Sequence, residues 1–299
     1  MRVIGTVPEL RAALLEPRRA GRTIGLVPTM GAFHEGHLSL MRRARADCDV
    51  VVVSLFVNPA QFNDPADLEA YPRDRARDEA LASGIGVDLL FAPQAPEVYP
   101  PGFATTVSVA GLTEPLEGAV RGRGHFDGVS TVVTKLLNMA GPDVAYFGQK
   151  DAQQALVIRR LVRDLDIPVR IEVCPTVRES DGLALSSRNA HLSPADRARA
   201  VALHRALDAV QRAAGAGERD PSALRAHALA ELRRADIEPD YVELVSSDTL
   251  DPVSQVDGEV LAVLAARVGS TRLIDNQLIQ PSLDHNREVA TRLRAPTTA

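Results

Sequence analysis

The chain has no tryptophan, two cysteines and two lysines, and aromatic residues make up only 4% of its 299 positions. Cys48 and Cys174 lie far apart and form no CxxC pair. We therefore interpret both as reduced packing residues, and not as a disulfide framework or a pair of metal ligands. Lys135 and Lys150 stand out because every other basic residue is arginine.

The chain also lacks a long hydrophobic run and an excess of positive charge. Its formal net charge is −5, which disfavours non-specific binding to nucleic acid. No stretch reaches the ~18 apolar residues of a membrane span, and residues 1–15 carry charge where a secretory signal would be apolar. We expect a soluble cytoplasmic protein with neither nucleic-acid nor membrane partners.

The overall composition is that of a folded globular protein. Hydrophobic residues make up 45% and charged residues 24% of the chain. A chain of this length buries about 75% of its unfolded surface, so it needs neither disulfides nor a metal to hold a core. At about 150 residues per domain, the length predicts one large domain or two modest ones.

Strand-like and helix-like segments alternate in the first part of the chain. The run VVVVSLF, for example, is typical of a strand that is buried on both faces. The alternation predicts an α/β fold, an open parallel sheet with helices on both faces. The predicted strands are Thr23–Val27, Val50–Phe56, Val87–Ala92, Val144–Phe147 and Val169–Val173, and the predicted helices are His37–Ala46, Asp74–Ser83 (closed by Gly84), Gly128–Ala140 and Ala152–Leu165.

The pattern changes in the last third. Ser193-Pro194 and Asp220-Pro221 each predict the start of a helix, with a polar N-cap followed by proline. Three strand-like runs then follow without helices between them, which indicates a smaller α+β domain. We predict domains at residues 1–175 and 176–282, with a disordered tail at 283–299. The three strands are Tyr241–Val245, Val260–Arg267 and Thr271–Ile279.

A decapeptide with two histidines, Pro28–His37, lies between the first predicted strand and the next helix. At the carboxyl edge of a parallel sheet, a helix N-terminus offers unpaired N–H groups and a positive dipole to an anion. Gly31 and Gly36 allow close backbone approach. His34 and His37 are three residues apart, so both can face a phosphate and donate hydrogen bonds, more strongly if protonated.

A zinc site, a chance pair of histidines and a different nucleotide motif each fit this segment less well. Zinc proteases use HExxH with four-residue spacing, whereas this chain has HExH and no evident third ligand. A chance pair of histidines in a turn does not account for the flanking glycines after a buried strand. GxGxxG is absent after the first strand, GxxxxGK[ST] occurs nowhere, and Gly122–Gly124 follows no strand, so the common nucleotide fingerprints do not apply.

Two further polar clusters follow predicted strands. In SLFVNPAQF, Asn58 and Gln61 offer neutral donors and acceptors for a hydroxyl or a carboxylate. In FGQKDAQQ, Lys150 can hold phosphate as a point charge. Asp151 can accept from a ribose hydroxyl, or it can simply cap the next helix. Each of these clusters alone is also compatible with an ordinary turn.

A fourth cluster, DGLALSSRN, follows the predicted domain boundary. Ser186, Ser187 and Arg188 can surround a triphosphate, and their place between domains suggests a lid that closes over the site. Taken alone, the segment is better interpreted as an ordinary polar loop. The carboxyl ends of successive parallel strands meet at one edge of a sheet. The four clusters together therefore predict one nucleotide-dependent active site.

These motifs resemble the pantoate–β-alanine ligase family from about residue 1 to residue 281. HxGH alone would indicate only the nucleotidylyltransferase superfamily, whereas its combination with SLFVNPAQF, YPRD, FGQKDAQQ and PTVRESDGLALSSRN is specific. The resemblance implies a Rossmann-like first domain, a smaller C-terminal domain that acts as a lid, and a homodimer. It also implies the reaction. Pantoate is adenylated by ATP with Mg²⁺, no prosthetic group is needed, and β-alanine displaces AMP to give pantothenate.

The resemblance further implies roles for individual residues. The expected catalytic residues are His34, His37 (the family's proton donor), Lys150 and Arg188. The expected ATP-binding residues are Met30, Gly31, His34, Gly36, His37, Gly148, Gln149, Lys150, Asp151, Val177, Leu185, Ser186, Ser187 and Arg188. The expected substrate-binding residues are Gln61 for pantoate and β-alanine, Gln154 for pantoate, and Asn58 and His125, while Asp78 matches another position that lines the site. No metal ligands are assigned.

The chain departs from the family pattern at three positions. The family commonly has glutamate at Gln149, tyrosine at Ala152 and methionine at Leu185, and we expect altered affinity more than lost activity. Two alternatives remain open, an HxGH adenylyltransferase that stops after transferring AMP and a catalytically silent nucleotide-binding homologue. The amides of NPAQF and GQKDAQQ disfavour the first, and retention of the four expected catalytic residues disfavours the second.

Overall fold

Helices and strands account for most of Met1–Pro281, the residues that the computed structural model describes. The expected tail at 283–299 lies outside them. The strands are β1 (Arg2–Ile4), β2 (Ile24–Thr29), β3 (Val50–Leu55), β4 (Leu89–Phe91), β5 (Val144–Gly148), β6 (Arg170–Cys174), β7 (Pro239–Val245), β8 (Val260–Val268) and β9 (Thr271–Ile279). The helices are α1 (Val7–Arg19), α2 (Glu35–Asp47), α3 (Pro65–Ala70), α4 (Arg75–Ile85), α5 (Ala95–Val98), α6 (Glu117–Arg121), α7 (Arg123–Ala140), α8 (Ala152–Asp164), α9 (Pro194–Ala200), α10 (Ala202–Gly215) and α11 (Pro221–Arg234).

Six strands form a parallel sheet in the order β1-β4-β3-β2-β5-β6. Side chains alternate along a strand, so Val50 and Val52 enter one apolar cluster with α1, α7 and α8. Val51 and Val53 enter a second cluster with α2 and α4. Both faces of the sheet are thus covered by helices, which confirms the predicted architecture.

The sheet has a switch point between β2 and β5. From β2 the chain proceeds through β3 and β4 on one side, whereas β5 and β6 extend the sheet on the other. In open α/β sheets, ligands bind outside the carboxyl ends of the strands at such a point. The segments that follow β2 and β5 are therefore placed where a ligand site is expected.

The chain divides into two compact units after His191, later than the boundary predicted after residue 175. The intervening segment is held by hydrogen bonds of its own, and the Leu185 amide donates to the Val177 carbonyl at 3.0 Å. An isolated bridge between Arg178 and Ala184 lies inside this hairpin. Residues 176–191 therefore belong to the first unit.

The second unit begins at Leu192. Its described part contains an antiparallel sheet in the order β7-β8-β9, against which α10 and α11 pack. The Ser193 and Asp220 side chains accept from backbone N–H groups at the starts of α9 and α11, which confirms both predicted helix starts. The small α+β unit that was predicted is therefore present, although the first of its helices is interrupted at Val201.

Several elements differ from the sequence predictions. Neither β1 nor α1 was predicted, although Thr6 and Glu9 form a reciprocal capping box at the start of α1. Helix α4 continues through Gly84 and ends at Gly86, whose φ of 88° is the left-handed conformation of a helix C-terminus. Helix α7 begins at Arg123 and so includes His125.

Helix α7 approaches the chain after β3 closely at Gly128. A Cβ atom at this position would lie 2.3 Å from the Ala60 carbonyl oxygen and 2.7 Å from the Gln61 nitrogen. Ala60 and Gln61 belong to a short 3-10 turn, Pro59–Gln61. The missing side chain at 128 therefore lets this turn rest directly on the helix.

We expect Gly128→Ala to lower the free energy of unfolding by about 2 kcal/mol, because the added methyl group meets backbone atoms that cannot rotate away. Gly124→Ala on the same helix is the control, since its Cβ would meet only the Asn63 Oδ1 at 3.8 Å. The control should be neutral or stabilising by up to ~1 kcal/mol, because alanine favours helix. Urea unfolding measures both, and equal midpoints for the two variants would contradict the prediction.

Candidate active site

The loop after β2 is held by a buried carboxylate. Asp78 of α4 is 1% exposed and accepts from the Ala32 amide at 2.9 Å and the Phe33 amide at 2.7 Å. Gly31 has a φ of 91° and Ala32 a φ of 53°, so the loop turns through the left-handed region twice. Sequence reasoning matched Asp78 only as a residue that lines the site, whereas the structure gives it the task of fixing this turn.

The turn places two histidines at the N-terminus of α2. His34 is the N-cap residue, and its Nδ1 accepts from the Gly36 amide at 3.2 Å. The Nδ1 of His37 accepts from the His34 amide at 3.3 Å, and the ring centroids are 4.2 Å apart. Because Nδ1 is an acceptor in both rings, each neutral imidazole carries its proton on Nε2. Both rings can therefore donate one N–H to an anion.

Both histidines are neutral at pH 7 in the free protein. Burial is the main cause that lowers the pKa of His37, from its ordinary value of 6.5 to about 3, and His34 lowers it further. Burial and the positive charge of Lys150 also lower the pKa of His34, and Asp151 opposes the shift. In this neutral form each ring offers one N–H donor, and the permanent positive charge beside the pair belongs to Lys150.

Lys150 and Asp151 follow β5, on the other side of the switch point from β2, and both interact electrostatically with His34 and His37. The Lys150 Nζ lies 3.6 Å from the Asp151 Oδ1, and only 19% of the lysine side chain is exposed. Asp151 occupies the N-cap position of α8, but its side chain makes no capping hydrogen bond. The capping role that the sequence left open is therefore wrong, and the half-exposed carboxylate remains available to a ligand.

Gln61 lies where three segments meet. Its Nε2 lies 3.0 Å from the Met30 Sδ in the loop after β2, and its Oε1 accepts from the side-chain Nδ2 of Asn58 at 3.0 Å. The His125 Nδ1 of α7 lies 2.8 Å from the Gln61 carbonyl oxygen. Burial lowers the pKa of His125, which favours the neutral ring. The structure thus brings Met30, Asn58, Gln61 and His125 into one group of contacts.

The Ser186–Arg188 segment belongs to the same unit. The Arg188 amide donates to the Ser186 Oγ at 3.2 Å, at the start of a 3-10 turn that covers Ser187–His191. Burial of the guanidinium and the positive charge of Arg121 lower the pKa of Arg188, and Asp151 opposes them. Arginine remains charged at neutral pH despite such a shift. The fourth cluster therefore adds a cation within electrostatic reach of Asp151.

Two neighbouring glutamines at the start of α8 differ in role. Gln153 is buried, and its side chain holds the segment before α6 through the Glu117 amide at 3.0 Å and the Leu112 and Pro115 carbonyls at 2.8 Å. Gln154 is only half-buried. The choice of Gln154 as the substrate-binding residue stays a prediction, while Gln153 serves the fold.

Sequence reasoning missed three residues near this site. Tyr71 and Arg121 are both electrostatically coupled to Arg188. Tyr99 donates to the Asn58 Oδ1 at 2.7 Å. Tyr71 could have been noticed because it begins the YPRD segment, but Arg121 and Tyr99 lie in stretches without a motif. Their placement depends on packing between segments that are distant in the chain.

Residues 1–281 hold neither a cluster of metal ligands nor a membrane-spanning helix. No group of three or more histidine, cysteine, aspartate or glutamate side chains in this range could hold a metal ion. No helix within the same described range is long and apolar enough to cross a membrane.

The fold and the site together define a class of protein. The parallel sheet places a helix N-terminus with two imidazole donors and a lysine at its switch point, and Arg188 of the same unit interacts electrostatically with the neighbouring Asp151. Such an arrangement can bind a polyphosphate. The neutral amide of Gln61 lies beside Met30 in the same loop region. The class is thus a nucleotide-binding α/β enzyme.

The chain belongs to the pantoate–β-alanine ligase family, whose sequence pattern matches residues 2–278. It is 58% identical over 275 residues to a pantothenate synthetase of Cereibacter sphaeroides, and the match covers 92% of this chain and 98% of that one. It is 54% identical over 281 residues to a pantothenate synthetase of Roseiflexus castenholzii, with coverage of 94% and 100%.

Solved structures agree with this assignment. Pantothenate synthetase from Thermus thermophilus superposes with a TM-score of 0.89 at 50% identity, covering 94% of this chain and all of that one. A pantoate–β-alanine ligase from Francisella tularensis, complexed with beta-gamma ATP and β-alanine, gives 0.75 at 34% identity, with coverage of 93% and 97%. The family resemblance stated from the motifs is therefore confirmed.

The partly buried histidine pair makes folding sensitive to acid. The folded-state pKa of His37, about 3, lies below its unfolded value, so between these values the unfolded chain binds more protons and the free energy of unfolding falls as pH falls. His37→Gln removes this contribution. The free energy of unfolding of the variant should therefore fall less steeply with falling pH, with a slope that is smaller than that of the wild type by up to about 1.4 kcal/mol per pH unit.

Urea unfolding between about pH 5 and about pH 7 measures these slopes. His227→Gln, which replaces an exposed histidine of α11, is the control and should keep the wild-type slope. A His37→Gln variant with the same pH dependence as the wild type would show that His37 is not held neutral by the fold.

Proposed function

We propose that the chain condenses pantoate with β-alanine in two steps at the site of the first unit. The carboxylate of pantoate attacks the α-phosphorus of ATP and releases pyrophosphate, and the amine of β-alanine then displaces AMP from the adenylate. The observation that carries this proposal is the meeting of the His34–His37 pair with Lys150 and Asp151 at the switch point. Membership of the family and the ligands of the Francisella structure support it.

The ATP site is proposed to span the loops after β2 and β5 and the hairpin before His191. The Nε2–H groups of His34 and His37 would donate to phosphate oxygens, while Lys150 and Arg188 would neutralise them as full charges. The remaining residues proposed to contact ATP are Met30, Gly31, Gly36, Gly148, Gln149, Asp151, Val177, Leu185, Ser186 and Ser187.

Charge is the main obstacle in the first step, because a carboxylate must approach a triphosphate. Positioned cations and N–H donors in a partly buried site lower this repulsion without reorganising during the reaction. Because His37 is neutral before ATP binds, the polyphosphate would raise its pKa on binding and so prepare it to act as a proton donor.

Pantoate and β-alanine are proposed to bind beside Gln61, with Gln154 and His125 lining the same region. No covalent enzyme intermediate is required, because the adenylate already activates the carboxyl group. Burial raises the pKa of Cys174 to about 11 and also raises that of Cys48, so both buried thiols stay protonated at neutral pH. Neither cysteine therefore suits a nucleophilic role.

Further features of the proposal rest on the family resemblance. Mg²⁺ would enter with ATP as part of the substrate, and the protein would be a homodimer in the cytoplasm. The second unit would serve as a lid that protects the adenylate from water.

The decisive measurement is pantoate-dependent exchange of pyrophosphate into ATP, without β-alanine and then with it. Exchange should require pantoate, and AMP and pantothenate should form once β-alanine is added. Exchange without product formation would indicate an adenylyltransferase that stops after the first step. ATP binding without any exchange would indicate a silent homologue.

Arg188→Ala should lower kcat/KM of the exchange reaction by about 100-fold, because a full positive charge is lost from the charge-neutralising set. Arg159→Ala, which removes an exposed arginine of α8, is the matched control and should leave the exchange unchanged. Circular dichroism checks that both variants are folded. Undiminished exchange in folded Arg188→Ala would remove Arg188 from the mechanism.

A further inference from the structure

The Asn58 side chain has no hydrogen-bonding capacity left for a ligand. Its Oδ1 accepts from the Tyr99 hydroxyl at 2.7 Å and the Ala60 amide at 3.3 Å. Its Nδ2 donates to the Gly128 carbonyl at 3.1 Å and to the Gln61 Oε1 at 3.0 Å. An asparagine amide has two acceptor sites and two donor hydrogens, and all four are used. Since Asn58 is also only 1% exposed, it acts on the site through Gln61.

These partners fix which end of the Asn58 amide faces Gln61. A backbone N–H such as that of Ala60 can only donate, so it must meet the Asn58 oxygen. The Gly128 carbonyl can only accept, so it must meet the Asn58 nitrogen. Tyr99 makes the shortest of the four contacts and satisfies the second lone pair of the buried oxygen. A flipped amide would set donor against donor and acceptor against acceptor.

The orientation of Asn58 in turn decides that of Gln61. Because the Asn58 Nδ2 donates, the carbonyl end of Gln61 faces Asn58, and its Nε2 faces away. The Nε2 lies 3.0 Å from the Met30 Sδ, which can only accept a hydrogen bond. Gln61 therefore turns N–H donors toward the loop after β2, where the nucleotide and the carboxylate substrate would meet.

Tyr99 is itself held in place by an aromatic group. Its ring centroid lies 6.2 Å from that of Phe56 and 5.2 Å from that of Phe103. The Nζ of Lys135 lies 4.5 Å from the Phe103 centroid and 6.0 Å from that of Tyr99. Lys135, one of the two lysines of the chain, thus packs against the aromatic group that holds Tyr99. Burial raises the pKa of Tyr99 to about 12, so its hydroxyl keeps the proton that it donates.

We propose that Tyr99 is a positioning residue of the pantoate site, whose hydroxyl acts through Asn58 to make Gln61 present hydrogen-bond donors to the substrate. The inference rests on the proposed function, which places pantoate beside Gln61. Carboxylate oxygens can only accept, so a donor at this place holds the attacking group, whereas a carbonyl would repel it. Gln61 thereby selects a substrate with acceptor oxygens.

Tyr99→Phe tests the positioning role, because it removes the hydroxyl and keeps the ring against Phe103. The KM for pantoate in the exchange reaction should rise about fivefold, the effect of one weakened hydrogen bond. The KM for ATP should stay unchanged, whereas general loosening of the unit would raise both values. Tyr146→Phe is the matched control, since it removes a buried hydroxyl that contacts Cys48 and Asp47 instead.

The direction of the Gln61 amide is tested by comparing Gln61→Glu with Gln61→Met at neutral pH. Glutamate can still accept from Asn58 but presents a negative oxygen where glutamine presents N–H donors. Methionine removes the donors without adding charge. We expect Gln61→Glu to raise the KM for pantoate at least about tenfold more than Gln61→Met, because it adds repulsion to the lost bond.

Each outcome decides one point. An unchanged KM for pantoate in folded Tyr99→Phe would overturn the positioning role. A Gln61→Glu variant that binds pantoate as well as the wild type, or better than Gln61→Met, would overturn the donor orientation. Wild-type protein serves as the reference, and if it shows no pantoate-dependent exchange, the proposed function fails instead. Tryptophan is absent, so unfolding midpoints of the variants are compared by circular dichroism.

Discussion

A buried carboxylate holds the loop on which the site depends. Asp78 accepts hydrogen bonds from the backbone N–H groups of Ala32 and Phe33. Charge-assisted bonds of this kind are among the stronger hydrogen bonds in proteins. They stabilise an alanine in a left-handed conformation that would otherwise cost about 1–3 kcal/mol. The turn places His34 at the N-cap of α2. There the Nδ1 atoms of His34 and His37 accept from backbone N–H groups, which sets the tautomer of both imidazoles. The two hydrogen bonds of Asp78 thus help to determine where the imidazole N–H groups point.

The site contains two kinds of polar group, cations that carry a permanent charge and neutral rings that offer hydrogen-bond donors in a fixed direction. Lys150 and Arg188 bring positive charge that does not depend on ordinary changes of pH. His34 and His37 bring directed donors that burial keeps neutral. Neutral rings avoid the cost of placing two further charges in a partly buried region beside Lys150.

The sequence predicted those parts of the fold that local chemistry determines. Buried strands such as β3 are recognisable in the sequence as runs of β-branched residues, and proline after a polar N-cap marks the starts of α9 and α11. The three-residue strand β1 is too short to show a period, and the division after His191 depends on a hairpin that composition does not reveal. In the site, the charged and amide residues could be named from motifs. Asp78 as an anchor and Tyr99 as a partner of Asn58 could not, because both roles arise from contacts between segments 41 or more residues apart.

The division after His191 has a consequence for how such a chain can be rearranged by recombination. The histidine pair, Lys150 and the Ser186–Arg188 segment all lie before it. A breakpoint after residue 191 would pass every one of these groups to a descendant in a single piece. A breakpoint after residue 175 would separate the serine–arginine hairpin from the sheet whose loops hold the other groups. A breakpoint after residue 191 therefore keeps the proposed site residues together, whereas a breakpoint after residue 175 divides them.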